Sequence, residues 1–178
     1  MLQTLITSKT RMNLLLKFFL NSNTTSWLRD MEADFGESTN AIRQELLRFE
    51  NAGMLTSMTS GNKRIYRANT QHPLFDEIHR LLLKHTGIDQ VVDRIVNKIG
   101  GLHSAYLTGA FARGNDSPVI DILLVGNGID RSYLARLVEK AENFIHRKIR
   151  YVILSEEEKQ TYISKTPEAF LLWESLEQ

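Results

Sequence analysis

The sequence predicts an α+β protein made of two domains. In the first third, apolar residues recur at helical spacing in three successive segments, and two short extended segments joined by a glycine turn follow. After Gly87 the pattern changes to short apolar strands that alternate with amphipathic helices, which is typical of a small α/β domain with a mixed sheet. A length of 178 residues also suits two small domains. The predicted divisions are residues 1–70, a linking and dimerisation helix within 71–87, and residues 88–178.

In the second domain the short apolar runs 120–125 and 149–154 are predicted to be strands buried on both faces. The segment that contains Phe170, Leu171 and Trp173 is predicted to be helical.

The composition is that of an ordinary soluble globular protein, with 42% apolar and 24% charged residues. The absence of cysteine excludes disulfides, thiolate metal sites and a cysteine nucleophile. No apolar run approaches the length of about 20 residues that a bilayer span requires, so we expect a cytoplasmic protein with no membrane partner. Charge is uneven along the chain: residues 1–68 carry nine Lys and Arg against six Asp and Glu, whereas residues 69–178 carry thirteen against fifteen.

The elements of the first domain are delimited by caps and turns. Helix one is predicted over residues 8–20 and helix two over residues 26–34, each from an N-terminal serine. Helix three follows over residues 38–53, from Ser38 as N-cap to a glycine stop. The extended segments 54–59 and 63–68 flank a Ser-Gly-Asn turn, where positive φ is accessible, and so predict a hairpin.

Helix three has the side chains that a DNA-reading helix requires. Ile42, Leu46 and Phe49 form one apolar stripe, which leaves a polar face outward. Arginine pairs with guanine edges, asparagine or glutamine pairs with adenine edges, and hydroxyl and N–H groups at a helix start bind phosphate. The predicted DNA contacts on this face are Ser38, Thr39, Asn40, Arg43 and Gln44. A merely solvated amphipathic helix would show the same face, but the order of three helices and a basic hairpin favours DNA binding.

The hairpin places Lys63, Arg64 and Arg67 close to its glycine turn, as expected of a wing that contacts the phosphate backbone or the minor groove. Together with Ser8-Lys9-Thr10-Arg11, the segments 46–55 and 61–69 resemble the winged-helix repressors of the ArsR type, over about residues 5–70. The resemblance implies a sequence-specific transcriptional regulator that binds double-stranded DNA as a homodimer.

Many repressors of this type sense metal through cysteine and histidine, and this chain departs from that pattern. His72, His79 and His85 are spaced by seven and six residues, not by the three or four that place two ligands on one helix face. Asp76 lies three residues before His79, but such a pair is usually a surface or interface feature. We therefore assign no metal and no cofactor, and leave open a small-molecule or nucleotide effector.

A glycine-rich turn and a buried strand mark the second domain. Residues 107–114 read Leu-Thr-Gly-Ala-Phe-Ala-Arg-Gly, and residues 119–125 read Val-Ile-Asp-Ile-Leu-Leu-Val. This arrangement resembles the polymerase-beta-type minimal nucleotidyltransferases, and the resemblance implies a turn that cradles triphosphate and strand carboxylates that hold two magnesium ions. The positions that match the family, and so form a possible vestigial nucleotide site, are Gly109, Arg113, Gly114 and Asp121.

The sequence matches the motif of that family only in part. The serine of the turn is Ala110, the second carboxylate is Leu123, and the later strand 148–154 has no acid. Because one carboxylate cannot replace three, we expect a domain that is no longer an enzyme and serves dimerisation or effector sensing.

Simpler interpretations of the same turn stay open. The two glycines are explained equally well by a turn that needs positive φ, and Arg113 by an ion pair with Asp121 or another acid. Two rival functions also stay open. One is an active nucleotidyltransferase that uses ATP and magnesium, with Asp116 completing its site; the other is a protein-binding adaptor without a DNA site.

Overall fold

The computed structural model describes residues 2–175 and divides into two compact units, Met1–His85 (unit 1) and Thr86–Gln178 (unit 2). Helices and a three-stranded sheet form unit 1, and helices around a four-stranded mixed sheet form unit 2. The predicted α+β class with a mixed sheet is confirmed. Within residues 2–175, no helix has the length and hydrophobicity to cross a membrane.

Unit 1 follows the order helix, helix, strand, helix, helix, hairpin, helix. Its elements are α1 (Leu2–Leu5), α2 (Lys9–Leu15) with a π-helical turn (Leu16–Leu20), β1 (Thr25–Trp27), α3 (Leu28–Phe35), α4 (Thr39–Asn51), β2 (Leu55–Ser60), β3 (Lys63–Ala68) and α5 (Phe75–Thr86). Both neighbours of β3 run antiparallel to it, in the order β1-β3-β2. Ser38 caps α4 by accepting a hydrogen bond from the Ala41 N–H, as predicted.

The start of the second predicted helix is wrong by two residues. Ser26 and Trp27 lie in β1, which pairs with β3, and the helix begins only at Leu28. Three residues are too few to show a strand period, and the pairing that makes them a strand is with residues about 40 positions later in the chain.

The core of unit 1 centres on the π-helical turn, all five residues of which are buried. The ring of Phe19 lies 6.4 Å from the ring of Phe49 in α4 and 5.6 Å from that of Phe75 in α5. Lys17 is accommodated in this buried segment because its ammonium group pairs with Asp34 at 2.6 Å. The turn therefore joins three helices of the unit.

A buried carboxylate connects α2 with α4. The Arg11 guanidinium donates to Glu45 through Nε at 2.9 Å and through Nη2 at 3.1 Å, and Arg48 pairs with the same carboxylate. Hydrogen bonding from Arg11 holds the pKa of Glu45 below its ordinary value, against the opposing effect of burial.

We expect E45Q to lower the stability of unit 1 at pH 7 by about 1 kcal/mol, a small value because both arginines are partly exposed to solvent. Because the folded-state pKa is depressed, this contribution is complete above the unfolded-state pKa and is lost as the pH falls through the lowered value. The difference between wild type and E45Q should therefore shrink below about pH 4. Urea unfolding at several pH values measures this difference in the free energy of unfolding. E77Q, which breaks the exposed Glu77–Arg80 pair, is the control and should show no comparable trend.

Unit 2 is built on a sheet with the strand order β6-β5-β4-β7, in which β5 and β6 are parallel and the other neighbours antiparallel. Its elements are α6 (Ile88–Arg94) with a 3-10 turn (Val96–Lys98), β4 (Leu102–Thr108), α7 (Gly109–Ala112), β5 (Val119–Gly126), α8 (Arg131–Ile145), β6 (Lys148–Leu154), α9 (Glu156–Ser164) and β7 (Phe170–Glu174). The central strand β5 is buried from Ile120 to Gly126, as its apolar run predicts.

Two predictions in unit 2 are wrong. The segment containing Phe170, Leu171 and Trp173 is predicted as helix, but it forms β7 and pairs with β4. A run this short and apolar has no period that separates strand from helix, so its distant partner decides. The strand β6 is predicted to be buried on both faces, but it lies at the sheet edge and only Ile149 in it is buried.

Candidate functional site

A cleft of about 350 Å³ in unit 1 lies between the helices α3 and α4 and the β2–β3 hairpin. Four cationic side chains border this basic cleft: Arg29, Arg43, Lys63 and Arg64. Trp27 and Tyr66 supply aromatic surface, and none of the described residues that line the cleft is acidic. The cleft therefore combines positive charge with flat apolar surface, the pair of properties that suits a nucleic acid.

The two hairpin cations that line the cleft have different interaction partners. The Lys63 ammonium lies 3.8 Å from the centre of the Trp27 ring, a cation–π contact that leaves its charge unneutralised. Arg64 instead donates to both carboxylate oxygens of Glu50, at 2.6 and 2.7 Å, and to the Ser57 hydroxyl at 2.9 Å. The hydrogen bond from Ser57, followed by that from Arg64, lowers the pKa of Glu50. The charge of Arg64 is therefore offset by a neighbour.

The structure places the predicted residues of α4 in two groups. Ser38 and Thr39 form hydrogen bonds within unit 1: Ser38 caps the helix, and the Thr39 hydroxyl donates to Glu32 at 2.7 Å. Asn40, Arg43 and Gln44 are exposed on the outward face. Of these five residues only Arg43 also lines the basic cleft, where it joins Lys63 and Arg64.

Of two further arginines, one was predicted from the sequence and one was missed. Arg67 is exposed on β3, and its Nε reaches the Thr56 hydroxyl at 3.4 Å, outside the cleft lining. Arg29 was not predicted, although it borders the cleft. It stands two residues before the buried Met31 in α3, so its outward position could have been deduced from the helical period.

In unit 2 the turn after β4 faces the carboxylate of Asp121. Asp121 lies opposite Thr108 of β4 and Arg150 of β6 in the sheet register, and its carboxylate forms an ion pair with Arg150. Gly109 has φ +66°, and a Cβ added there would lie only 2.2 Å from Asp121 Oδ2. A cavity of about 330 Å³ adjoins these residues, with Tyr162 also in its wall.

The remaining matched positions of the turn also have local partners. Arg113 donates to Glu168 at 2.8 Å, and not to Asp121. Gly114 is buried with φ +78°, a backbone conformation that L side chains rarely adopt. The two simpler interpretations of this turn therefore correspond to contacts and angles that the structure contains.

The acidic side chains at this turn do not fit a pair of magnesium ions. Asp121 is engaged by Arg150, Glu168 is engaged by Arg113, and Leu123 two residues along β5 is fully buried and apolar. Across residues 2–175, no three acidic or histidine side chains cluster closely enough to share a metal ion.

Comparisons with known proteins give a likeness to a solved structure. No protein-family model matches the sequence, and no curated protein matches it. A crystal structure of a "putative nucleotidyltransferase" from Sulfolobus solfataricus matches with 25% sequence identity over 51% of this chain and 86% of that chain, at a TM-score of 0.34. The likeness is weak at this TM-score. The prediction that the chain is not an enzyme is contradicted by this neighbour, which is described as a "putative nucleotidyltransferase".

Proposed function

We propose that the chain is a sequence-specific DNA-binding transcriptional regulator and that unit 1 is its winged helix-turn-helix module. In this proposal α3 and α4 form the helix-turn-helix, joined through Gly36 in the left-handed conformation, and the β2–β3 hairpin is the wing. The observation that carries the proposal is the basic cleft, where the two helices and the hairpin bring four cations together and none of the described lining residues is acidic.

The physical basis is the charge and shape of duplex DNA. Lysine and arginine that neutralise phosphates release counterions, which makes binding strong and dependent on salt. The exposed Asn40, Arg43 and Gln44 have the donor and acceptor groups that distinguish base edges in the major groove. α4 would supply base contacts, and Lys63 and Arg29 would bind phosphate on either side of it.

The proposal includes a homodimer. A palindromic operator presents two half-sites about 34 Å apart, and two copies of α4 must be held at that spacing. Unit 2 would contribute to dimerisation or to the sensing of an effector.

DNA binding is tested with fragments selected from genomic DNA and measured by fluorescence anisotropy at several salt concentrations. We expect R43A to lose about 1–3 kcal/mol of binding free energy and to relax the preference at one base position. K63A should weaken all sequences about equally and reduce the salt slope by about 1. R64A should have a smaller effect than K63A, because Glu50 already offsets the charge of Arg64.

The control is R131A, an exposed arginine at the start of α8 in unit 2, which should bind like the wild type. Affinity that does not change with salt, or wild-type binding by both R43A and K63A, would rule out the basic cleft as a DNA site. The adaptor function would then be the better explanation.

A further inference from the structure

A second cavity in unit 1, of about 310 Å³, shares no lining residue with the basic cleft. Both contain side chains of α4, but from different faces: Glu45, Arg48 and Phe49 border this apolar cavity, whereas Arg43 borders the basic cleft. The apolar cavity therefore lies behind the helix face to which DNA binding is assigned.

The walls of the apolar cavity are hydrophobic and come from several helices. Leu15 of α2, Phe49 of α4, and Ile78 and Leu81 of α5 are among its apolar lining residues. Leu81 is 41% exposed, so its side chain is accessible to a ligand. The volume lies at the lower end of the range of about 300–1,000 Å³ that is typical of small-molecule sites.

The polar part of the wall carries net positive charge. Arg11, Glu45 and Arg48 all border the cavity, and the two guanidinium groups share one carboxylate. The cluster thus has a net charge of +1. Arg11 gives two of its five N–H groups to Glu45, and Arg48 gives one, so donors remain on both side chains. A carboxylate is the group that these donors and this charge complement.

We propose that the apolar cavity binds a small apolar carboxylic acid, with the hydrocarbon body against Leu15, Ile78 and Leu81 and the carboxylate on Arg11 and Arg48. An alcohol with the same hydrocarbon body would fill the same volume but leave the positive charge uncompensated. An alkylammonium ion would be repelled by that positive charge. The ligand is therefore selected for both its apolar body and its negative end. This site does not depend on DNA binding, and it is tested without DNA.

The test uses the full chain and isothermal titration calorimetry, with decanoate as the probe and 1-decanol as its uncharged analogue. We expect decanoate to bind one molecule per chain and at least about tenfold more tightly than decanol, since a charge-assisted hydrogen bond contributes more than a neutral one. L81W should fill the cavity and weaken decanoate by at least about tenfold. R48Q should weaken decanoate but not decanol, because the apolar wall is unchanged.

Matched controls are L171W, at an exposed leucine of β7, and R131Q, at an exposed arginine of α8; both should bind decanoate like the wild type. Circular dichroism confirms that each variant is folded. Equal affinity for decanol and decanoate, no binding of decanoate, or an R48Q variant that binds like wild type would overturn the proposal. The proposal would also be overturned if sedimentation velocity without decanoate showed a dimer for the wild type and a monomer for L81W. The apolar cavity would then be an interface between two copies of the chain.

Discussion

Replacing Gly109 with alanine is expected to lower the free energy of unfolding of unit 2 by about 2–5 kcal/mol, the sum of a steric and a conformational cost. The added Cβ would lie 2.2 Å from Asp121 Oδ2, 2.8 Å from its Cγ and 2.9 Å from its Cβ. Rotation of the carboxylate cannot relieve the last of these contacts, because Asp121 Cβ is fixed by the central strand β5. The ion pair with Arg150 also restrains the carboxylate. The turn and the strand must therefore separate.

Gly128 provides a matched control for the conformational part. Its φ of +68° is almost the same as the +66° of Gly109, but no atom lies within 4 Å of a Cβ built there. G128A should therefore lose only about 1–2 kcal/mol, the cost of placing alanine in the left-handed region. The difference between the two variants isolates the contact with Asp121.

The measurement follows urea unfolding by tryptophan fluorescence. The chain has two tryptophans, Trp27 in unit 1 and Trp173 in unit 2, so a W27F background reports on unit 2 alone. Equal losses for G109A and G128A would show that the turn does not press on Asp121.

Local signals explain which elements the sequence could predict. Ser38 can cap a helix and Gly53 can end one, so α4 is predicted nearly to its observed limits without knowledge of the rest of the chain. The strand β5 is predicted by its continuous apolar run, because a central strand must be apolar on both faces.

Distant pairing explains what was missed. The three residues of β1 and the five of β7 are strands because of the partners they meet, and neither segment has a strand period of its own. The position of β6 at the edge of the sheet is set in the same way, by the order in which four strands assemble. Periodicity along one segment contains no information on these neighbours.

The candidate sites also combine features set by local sequence with features set by distant partners. Arg43 and Lys63 can be predicted because an outward helix face and a basic turn are local patterns. The acidic partners of the arginines cannot be predicted in this way, because they are distant in the sequence. Glu50 lies 14 residues from Arg64, and Glu45 lies 34 residues from Arg11. Sequence reasoning predicted where the cations are but not which of them an acid already holds.

Truncating Phe19 is the change expected to destabilise unit 1 most. Phe19 is fully buried and its ring packs against Phe49 and Phe75, so F19A removes contacts to α4 and α5 at once. We expect a loss of about 3–5 kcal/mol in the free energy of unfolding, the range found for phenylalanine to alanine in protein cores. A single unit of this size has a total stability of only about 5–15 kcal/mol, so a large part of unit 1 would be unfolded at moderate urea concentrations.

Fluorescence of Trp27 in a W173F background measures the effect on unit 1. The control is L47A: Leu47 lies in α4 and is 42% exposed, so its truncation should cost well under the loss seen for F19A. F19L should recover much of the stability, since a leucine refills part of the volume between the three helices. A loss of less than about 1 kcal/mol for F19A would be incompatible with a well-packed core at this position. It would mean that the π-helical turn does not join α2, α4 and α5 in solution.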